Sequence, residues 1–149
     1  QKPGGLLADS VWAAEWFQWD LASSDPRTLE GAWRQRASTP DVAARVSTFT
    51  NPWSSEEVRR VVGAEFFGLI ADSSFRCDRS MRANYALTVN SDDGVRVLID
   101  GVPVLEDWTL HAPRREEQLL ELEPGEHSIR IEYFQIQGAA ALSIDLSPR

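Results

Sequence analysis

Two adjacent aspartates, Asp92 and Asp93, are the residues of this chain best suited to chemistry. Neighbouring carboxylates repel one another unless water or a cation neutralises them. The pair is therefore the leading candidate for a metal site. The alternative is an ordinary solvated acidic turn, in which Gly94 supplies a positive φ angle.

The elements that must position this pair are predicted to be short β-strands. Asp100 and Gly101 separate two alternating apolar runs, which predicts a two-residue hairpin because both turn residues must tolerate positive φ. Short strands separated by Gly, Pro and Asp turns indicate an all-β antiparallel β-sandwich or jelly-roll-like barrel with long loops. The predicted strands span residues 85–89, 95–99, 102–105, 119–122, 127–134 and 141–146.

The first half of the chain has a less regular pattern. Residues 11–21 fit a helix or a bulged strand, and the strand is favoured because Trp and Phe prefer that conformation. Residues 22–44 are rich in Ser, Asp, Pro and Arg, which predicts a long loop. Residues 54–62 resemble a capped helix but also fit a loop leading into a strand at 64–70.

The 149 residues have the size of one domain, which we assign to 11–147, with 1–10 as a linker or boundary segment of a longer, multidomain chain. The net charge of −8 disfavours nucleic acid and anionic membranes as partners. No apolar run is long enough to insert into a membrane. Cys77 is the only cysteine, which excludes an intramolecular disulfide.

The run 88–101, TVNSDDGVRVLIDG, resembles the protective-antigen fourteen-kilodalton domain, a β-sandwich module of bacterial toxins, glycosidases, adhesins and fungal flocculins. The resemblance covers about residues 83–146. Upstream it depends on the aromatic strand near Trp16 and on Phe66-Phe67-Gly68. Further matching segments are 105–108, 111–113, 122–125, 129–133 and 138–142.

In carbohydrate-binding members, the resemblance implies a calcium ion that the Asp-Asp pair holds across a cis peptide bond and that bridges to sugar hydroxyls. Further ligands would come from the loop after Tyr133, so the implied metal ligands are Asp92, Asp93, the Gln135 amide oxygen and the carbonyls of Gln137 and Ala139. An aromatic ring can stack on a sugar face. The expected carbohydrate contacts are Asp92, Asp93, Trp108, His111 and Phe134, with a core role as the alternative for Trp108.

The resemblance implies an extracellular or cell-surface, calcium-dependent lectin-like module of a secreted adhesin or enzyme. Catalysis is not expected, because glycoside hydrolysis needs two carboxyls about 5–9 Å apart rather than an adjacent pair held by one cation. The sequence also lacks a nucleophile elbow, a phosphate loop and a zinc-protease helix motif. The alternative function is a non-binding structural or interaction module that packs against a neighbouring catalytic or membrane domain.

Overall fold

The computed structural model of the chain describes residues 6–7, 10–46, 60, 65–92, 94–109, 114–136 and 141–148. The secondary structure of this part consists mainly of antiparallel strands, with one eight-residue helix and the single helical residue Arg60. In chain order the elements are β1 Trp12–Gln18, α1 Glu30–Ala37, β2 Val42–Val46, β3 Phe67–Cys77, β4 Ala83–Asp92, β5 Gly94–Ile99, β6 Val102–Asp107, β7 Arg114–Leu122, β8 Gly125–Gln135 and β9 Ala141–Pro148.

The strands form two antiparallel sheets. The larger sheet has the order β2-β1-β3-β8-β5-β6 and the smaller one the order β7-β4-β9. The sheets do not close into a barrel, so the sandwich form of the predicted all-β fold is confirmed. The part of the chain that the structure describes contains no helix with the length and apolarity needed to cross a bilayer.

The main core lies between the two sheets, because alternate residues of each strand point inward. In β1, Trp12, Ala14 and Trp16 are buried, whereas Ala13 and Glu15 are exposed. Burial of a large apolar side chain stabilises a fold by about 1.5–3 kcal/mol. Other strands contribute further fully buried residues, among them Leu69, Leu87, Val95, Val97, Ile131 and Tyr133.

Most local predictions are confirmed, including the strand within 11–21 and the hairpin at Asp100 and Gly101, whose φ angles are 52° and 82°. The predicted loop at 22–44 is wrong in part, because it contains α1 and most of β2. The predicted strand at 64–70 begins at Phe67 and continues to Cys77. Apart from Arg60, the segment 54–62 lies outside the described residues.

Helix α1 forms because its apolar side covers the outer face of the larger sheet. Trp33 and Ala37, four residues apart, are buried there, although the helix has no side-chain cap at its start. They belong to a second cluster of buried apolar residues, which we call the outer cluster: Phe17, Trp19, Trp33, Ala37, Phe134 and Ile136. Tertiary packing, rather than local capping, therefore stabilises this short helix.

A glycine-to-alanine pair tests the packing of the outer cluster. A Cβ atom at Gly68 would lie 2.8 Å from Cε2 of the fully buried Phe17 ring. We expect Gly68→Ala to lower the free energy of unfolding by about 1–3 kcal/mol, because overpacking forces the ring to move. Gly31→Ala is the control: nothing lies within 4 Å of its added Cβ, and alanine favours the helix by up to about 1 kcal/mol. Urea unfolding would measure the free energy of unfolding of both variants. Equal values would contradict the close contact between Gly68 and the Phe17 ring.

At one end of the larger sheet, His127 of β8 forms an ion pair with Asp100 in the turn of the β5–β6 hairpin. Its Nδ1 lies 2.5 Å from Oδ2 of Asp100, and its Nε2 lies 2.7 Å from the carbonyl oxygen of Glu123. Both partners are acceptors, so only the doubly protonated imidazolium donates to both. Burial opposes this charge, but the hydrogen bonds to Asp100 and Glu123 outweigh it and raise the pKa of His127 above 6.5.

This contact predicts a pH-dependent stability. The raised pKa of His127 gives a contribution that is complete below pH 6.5 and is lost as the pH rises through the folded-state pKa. The pKa of Asp100 is lowered below 3.8, since bonds from His127 and Ser128 outweigh its burial; its contribution is therefore lost in acid. We expect His127→Gln to cost most between pH 3.8 and 6.5. A cost that stays constant up to pH 9 in urea unfolding would contradict the ion pair.

Candidate functional site

The strand register gathers the candidate ligand segments at one end of the sandwich. Strand β4 ends at Asp92, which pairs with Ala141 at the start of β9. Strand β5 begins at Gly94, which pairs with Phe134 near the end of β8. The described residues that flank Asp93 and those that flank 137–140 therefore lie at the same end. Asp92 and Gln135, the described members of the predicted ligand set, also lie at this end.

A buried tyrosine hydroxyl links the two described ligand candidates. Tyr133 is fully buried on the inner face of β8, and its hydroxyl donates a hydrogen bond to the backbone oxygen of Asp92. The same hydroxyl lies 3.1 Å from Oε1 of Gln135, which is also fully buried. The structure thus brings Asp92 and Gln135 together around one hydroxyl group. The sequence reasoning missed this contact, although a buried tyrosine that needs a hydrogen-bond partner was a usable signal.

The calcium site remains a prediction, because three of its five expected ligands lie outside the described part of the chain: Asp93, Gln137 and Ala139. His111, an expected carbohydrate contact, also lies outside it. Among the described residues, no three His, Cys, Asp or Glu side chains form a metal-binding group. Calcium also accepts amide and carbonyl oxygens as ligands. The Asp92 carboxylate and the Gln135 amide belong to this donor class, so their chemistry fits calcium.

The prediction that Phe134 stacks on a sugar is wrong. The residue is fully buried, and its ring lies against Gly94, where an added Cβ would be 2.8 Å from Cδ2. Trp108 and Trp19 pack edge to face with the same ring, at centroid distances of 4.9 and 6.3 Å. Alternation along β8 turns Phe134 outward, but the outer cluster under α1 covers it.

Trp108 is half-buried and connects three parts of the fold. Its Nε1 donates a hydrogen bond of 2.9 Å to the carbonyl oxygen of Pro26, and its ring packs on Trp33 at 5.1 Å. The guanidinium of Arg96 lies 4.4 Å from the ring centroid, a cation–π contact. These contacts favour the packing role that the sequence left open. A sugar contact through the exposed part of the ring stays a prediction.

A network of ion pairs holds α1 on the sheet beside Trp108. Glu132 is 2% exposed and accepts two hydrogen bonds of 2.8 Å from Arg34 of the helix and one of 3.1 Å from Arg96. Arg96 also pairs with Glu30 and Glu106. Burial would raise the pKa of Glu132, but the two guanidinium groups outweigh it and hold the pKa below 4.5.

Asp107 links Thr109 and Arg114, the described residues on either side of the segment 110–113. Its carboxylate is 7% exposed and accepts hydrogen bonds of 2.7 Å from the Thr109 hydroxyl and 2.8 Å from Arg114. Asp107 pairs with Val95, two residues after Asp93. The ends of the segment that contains His111 are therefore held close to the strand that follows the aspartate pair. Sequence reasoning missed this role because Thr109 and Arg114 come together only across that segment.

Removing the Glu132 carboxylate tests whether the network holds the helix. We expect Glu132→Ala to lower the free energy of unfolding by about 2–4 kcal/mol, because the guanidinium groups of Arg34 and of buried Arg96 would lose the carboxylate that both of them bind. The control is Glu121→Ala, which removes a 61% exposed carboxylate 3.5 Å from Arg82 and should cost no more than about 1 kcal/mol. Chemical unfolding would measure both, and equal small losses would show that the network does not stabilise the fold.

The sequence model of the PA14 domain family matches residues 22–148, so this chain belongs to the PA14 domain family. This confirms the resemblance to the protective-antigen domain. None of the curated proteins compared with the sequence matches it.

Solved structures share the fold at low sequence identity. The "PA14 sugar-binding domain from RTX adhesin" superposes with a TM-score of 0.63 and 16% identity, over 95% of this chain and 90% of that one. The Epithelial Adhesin 9 A domain from Candida glabrata, solved in complex with Galb1-3GlcNAc, gives 0.60 and 9% identity over 93% and 81%. An anti-sigma factor domain-containing protein gives 0.65 and 16% identity over 93% of this chain, which spans 43% of that protein. Identities this low establish the fold alone.

Proposed function

We propose that this PA14 domain is an extracellular, calcium-dependent carbohydrate-binding module of a longer surface protein. Asp92 and Asp93 are the primary calcium ligands in this proposal, with the Gln135 amide oxygen and the carbonyls of Gln137 and Ala139 completing the set. The observation that supports it is the shared Tyr133 hydroxyl, which brings Asp92 and Gln135 to the same end of the sandwich although they are far apart in sequence.

The residues of this chain would divide the work of binding between them. The carboxylates of Asp92 and Asp93 neutralise the cation and accept hydrogen bonds from sugar hydroxyls. Bound calcium supplies positive charge and coordination positions that vicinal hydroxyls fill in place of water. Trp108 is half-exposed, and His111 follows it by three residues in the sequence, so these two are the remaining candidates for contact with the sugar ring.

The comparisons support the carbohydrate class. One similar structure is described as a sugar-binding adhesin domain, and another contains a bound galactose–N-acetylglucosamine disaccharide. The similar anti-sigma factor protein is more than twice as long as the matched region, which supports a multidomain context. We propose no catalysis, because adjacent aspartates sharing one cation cannot take separate acid and base roles.

The alternative is a non-binding structural module that packs against a neighbouring domain. The burial of Phe134 and the packing of Trp108 favour it, because they withdraw aromatic surface that a sugar site would use. The two functions differ in one respect that can be measured. The structural module has no reason to bind calcium.

Calcium should raise the melting temperature of the chain relative to chelator, because a ligand bound only by the native state stabilises it by about 2.7 kcal/mol at one hundred times its Kd. We expect Asp92→Asn to remove most of this shift by taking away a ligand charge. The matched control is Asp78→Asn, which neutralises an exposed aspartate outside the site and should keep the full shift. Differential scanning calorimetry would measure all three proteins.

Titration calorimetry with galactose, mannose and a galactose–N-acetylglucosamine disaccharide then tests the sugar. Binding in calcium that disappears in chelator is the expected result. Binding of equal strength in both conditions would overturn the metal bridge. A chain that binds neither calcium nor any sugar of the panel would favour the structural module.

A further inference from the structure

We propose that Tyr133 and Phe134 are positioning residues that hold the backbone on both sides of Asp93 from opposite faces of the sheet, before any metal binds. This inference rests on the proposed function, because it concerns how the same site is assembled. The two residues are consecutive in β8, so their side chains point to opposite faces. Neither belongs to the expected metal ligands.

Tyr133 acts from the inner face. Its ring is fully buried in the main core and lies 6.1 Å from the Phe67 ring. A hydroxyl in apolar surroundings is costly unless it is hydrogen-bonded, so the bond to the Asp92 carbonyl is the natural resting state of this side chain. The bond fixes the peptide group that leads from Asp92 into Asp93.

The same hydroxyl also contacts the side chain of Gln135, two residues further along β8. The Tyr133 hydroxyl oxygen lies 3.1 Å from Oε1 of Gln135, which is fully buried. A tyrosine hydroxyl has one proton, so it donates to only one of these two oxygens at a time. Tyr133 therefore holds the Asp92 carbonyl and the Gln135 amide next to each other.

Phe134 acts from the outer face on the residue after Asp93. Gly94 is its direct partner across β5 and β8, and the phenyl ring occupies the space that a side chain at position 94 would need. Trp108 and Trp19 hold this ring edge to face. The positive-φ glycines of the described chain are Gly101 and Gly125, so Gly94 is not required for its φ angle. Its role is to accept the Phe134 ring.

Together the two contacts leave Asp93 as a single residue between two fixed neighbours. A site that is already ordered in the free protein binds its ligand more tightly, because less conformational entropy is lost on binding. Calcium would therefore bind next to a backbone that Tyr133 already holds at Asp92 and Phe134 already holds at Gly94. Loosening either contact should weaken calcium binding even though every ligand residue is retained.

Tyr133→Phe removes only the hydroxyl. We expect amide hydrogen exchange in the segment 90–96, measured in chelator, to accelerate about tenfold, and the Kd for calcium alone to rise about tenfold, the equivalent of one lost hydrogen bond. The matched control is Tyr85→Phe, which removes another buried hydroxyl from the opposite end of β4. It should change neither quantity.

Gly94→Ala tests the contact between Gly94 and the Phe134 ring, and a second substitution at Phe134 should partly restore binding. The added methyl group would collide with the Phe134 ring, so we expect the calcium Kd to rise by about tenfold or more. Combining it with Phe134→Leu, which removes part of the ring, should recover much of that affinity. Such non-additivity is the signature of a direct contact. Additive losses in the double variant would overturn the role of Phe134.

The two measurements separate this inference from the proposed function. If the unaltered chain binds no calcium, the calcium-dependent function fails, and hydrogen exchange alone decides whether Tyr133 holds the turn. If the chain binds calcium and Tyr133→Phe binds it equally well, the positioning role is overturned while the function stands. Unchanged exchange in Tyr133→Phe overturns the role in either case.

Discussion

Strand β8 lies between β3 and β5, and its residues from 131 onward are buried on both faces of the sheet. Consecutive side chains there point to opposite faces of the sheet, so each must suit a different buried environment. Ile131 and Tyr133 face the main core, whereas Glu132 and Phe134 face the outer cluster and the ion pairs beneath α1. The rest of the structure depends on this double burial, because both the helix and the candidate site are attached through the same few residues.

Burial of the charged side chains of Glu132 and Arg96 costs desolvation free energy, and this cost determines which residues must lie on the outer face of the larger sheet. A carboxylate and a guanidinium removed from water are tolerated only when their partners compensate for the lost hydration. Here Arg34 brings the helix to Glu132, and Arg96 stacks on Trp108 while it pairs with Glu30. The helix is thereby placed over the outer cluster. That placement buries Phe134, which in turn lies on Gly94 beside the aspartate pair.

Alternation and turn chemistry in the sequence were sufficient to predict an all-β antiparallel fold, but they left a sandwich and a barrel as alternatives. The β5–β6 hairpin follows from Asp100 and Gly101, and the inward face of β8 follows from its period of two. Helix α1 could not be predicted in this way, because it has no side-chain cap and is stabilised by contacts of Trp33 with residues far along the chain. The burial of Phe134 was missed for the same reason.

The candidate site, like the fold, could be predicted from the sequence only in part. Asp92 was identified by its adjacent aspartate and by the family resemblance, and Gln135 by the resemblance alone. The Tyr133 hydroxyl that contacts both lies 41 residues from Asp92 and was not foreseen. Gly94 was interpreted as a turn glycine, whereas the structure shows that its missing side chain admits an aromatic ring. A pattern of residue types reveals which atoms can bind a cation. Which neighbours hold those atoms in place depends on packing between distant strands.

A crystal structure of the chain grown with millimolar calcium would test the central claim most directly. The account predicts one calcium ion with oxygens of Asp92 and Gln135 at about 2.3–2.6 Å, and the Tyr133 hydroxyl still bonded to the Asp92 carbonyl. A map in which the Asp92 carboxylate is surrounded only by water, with no cation at that end of the sandwich, would contradict it.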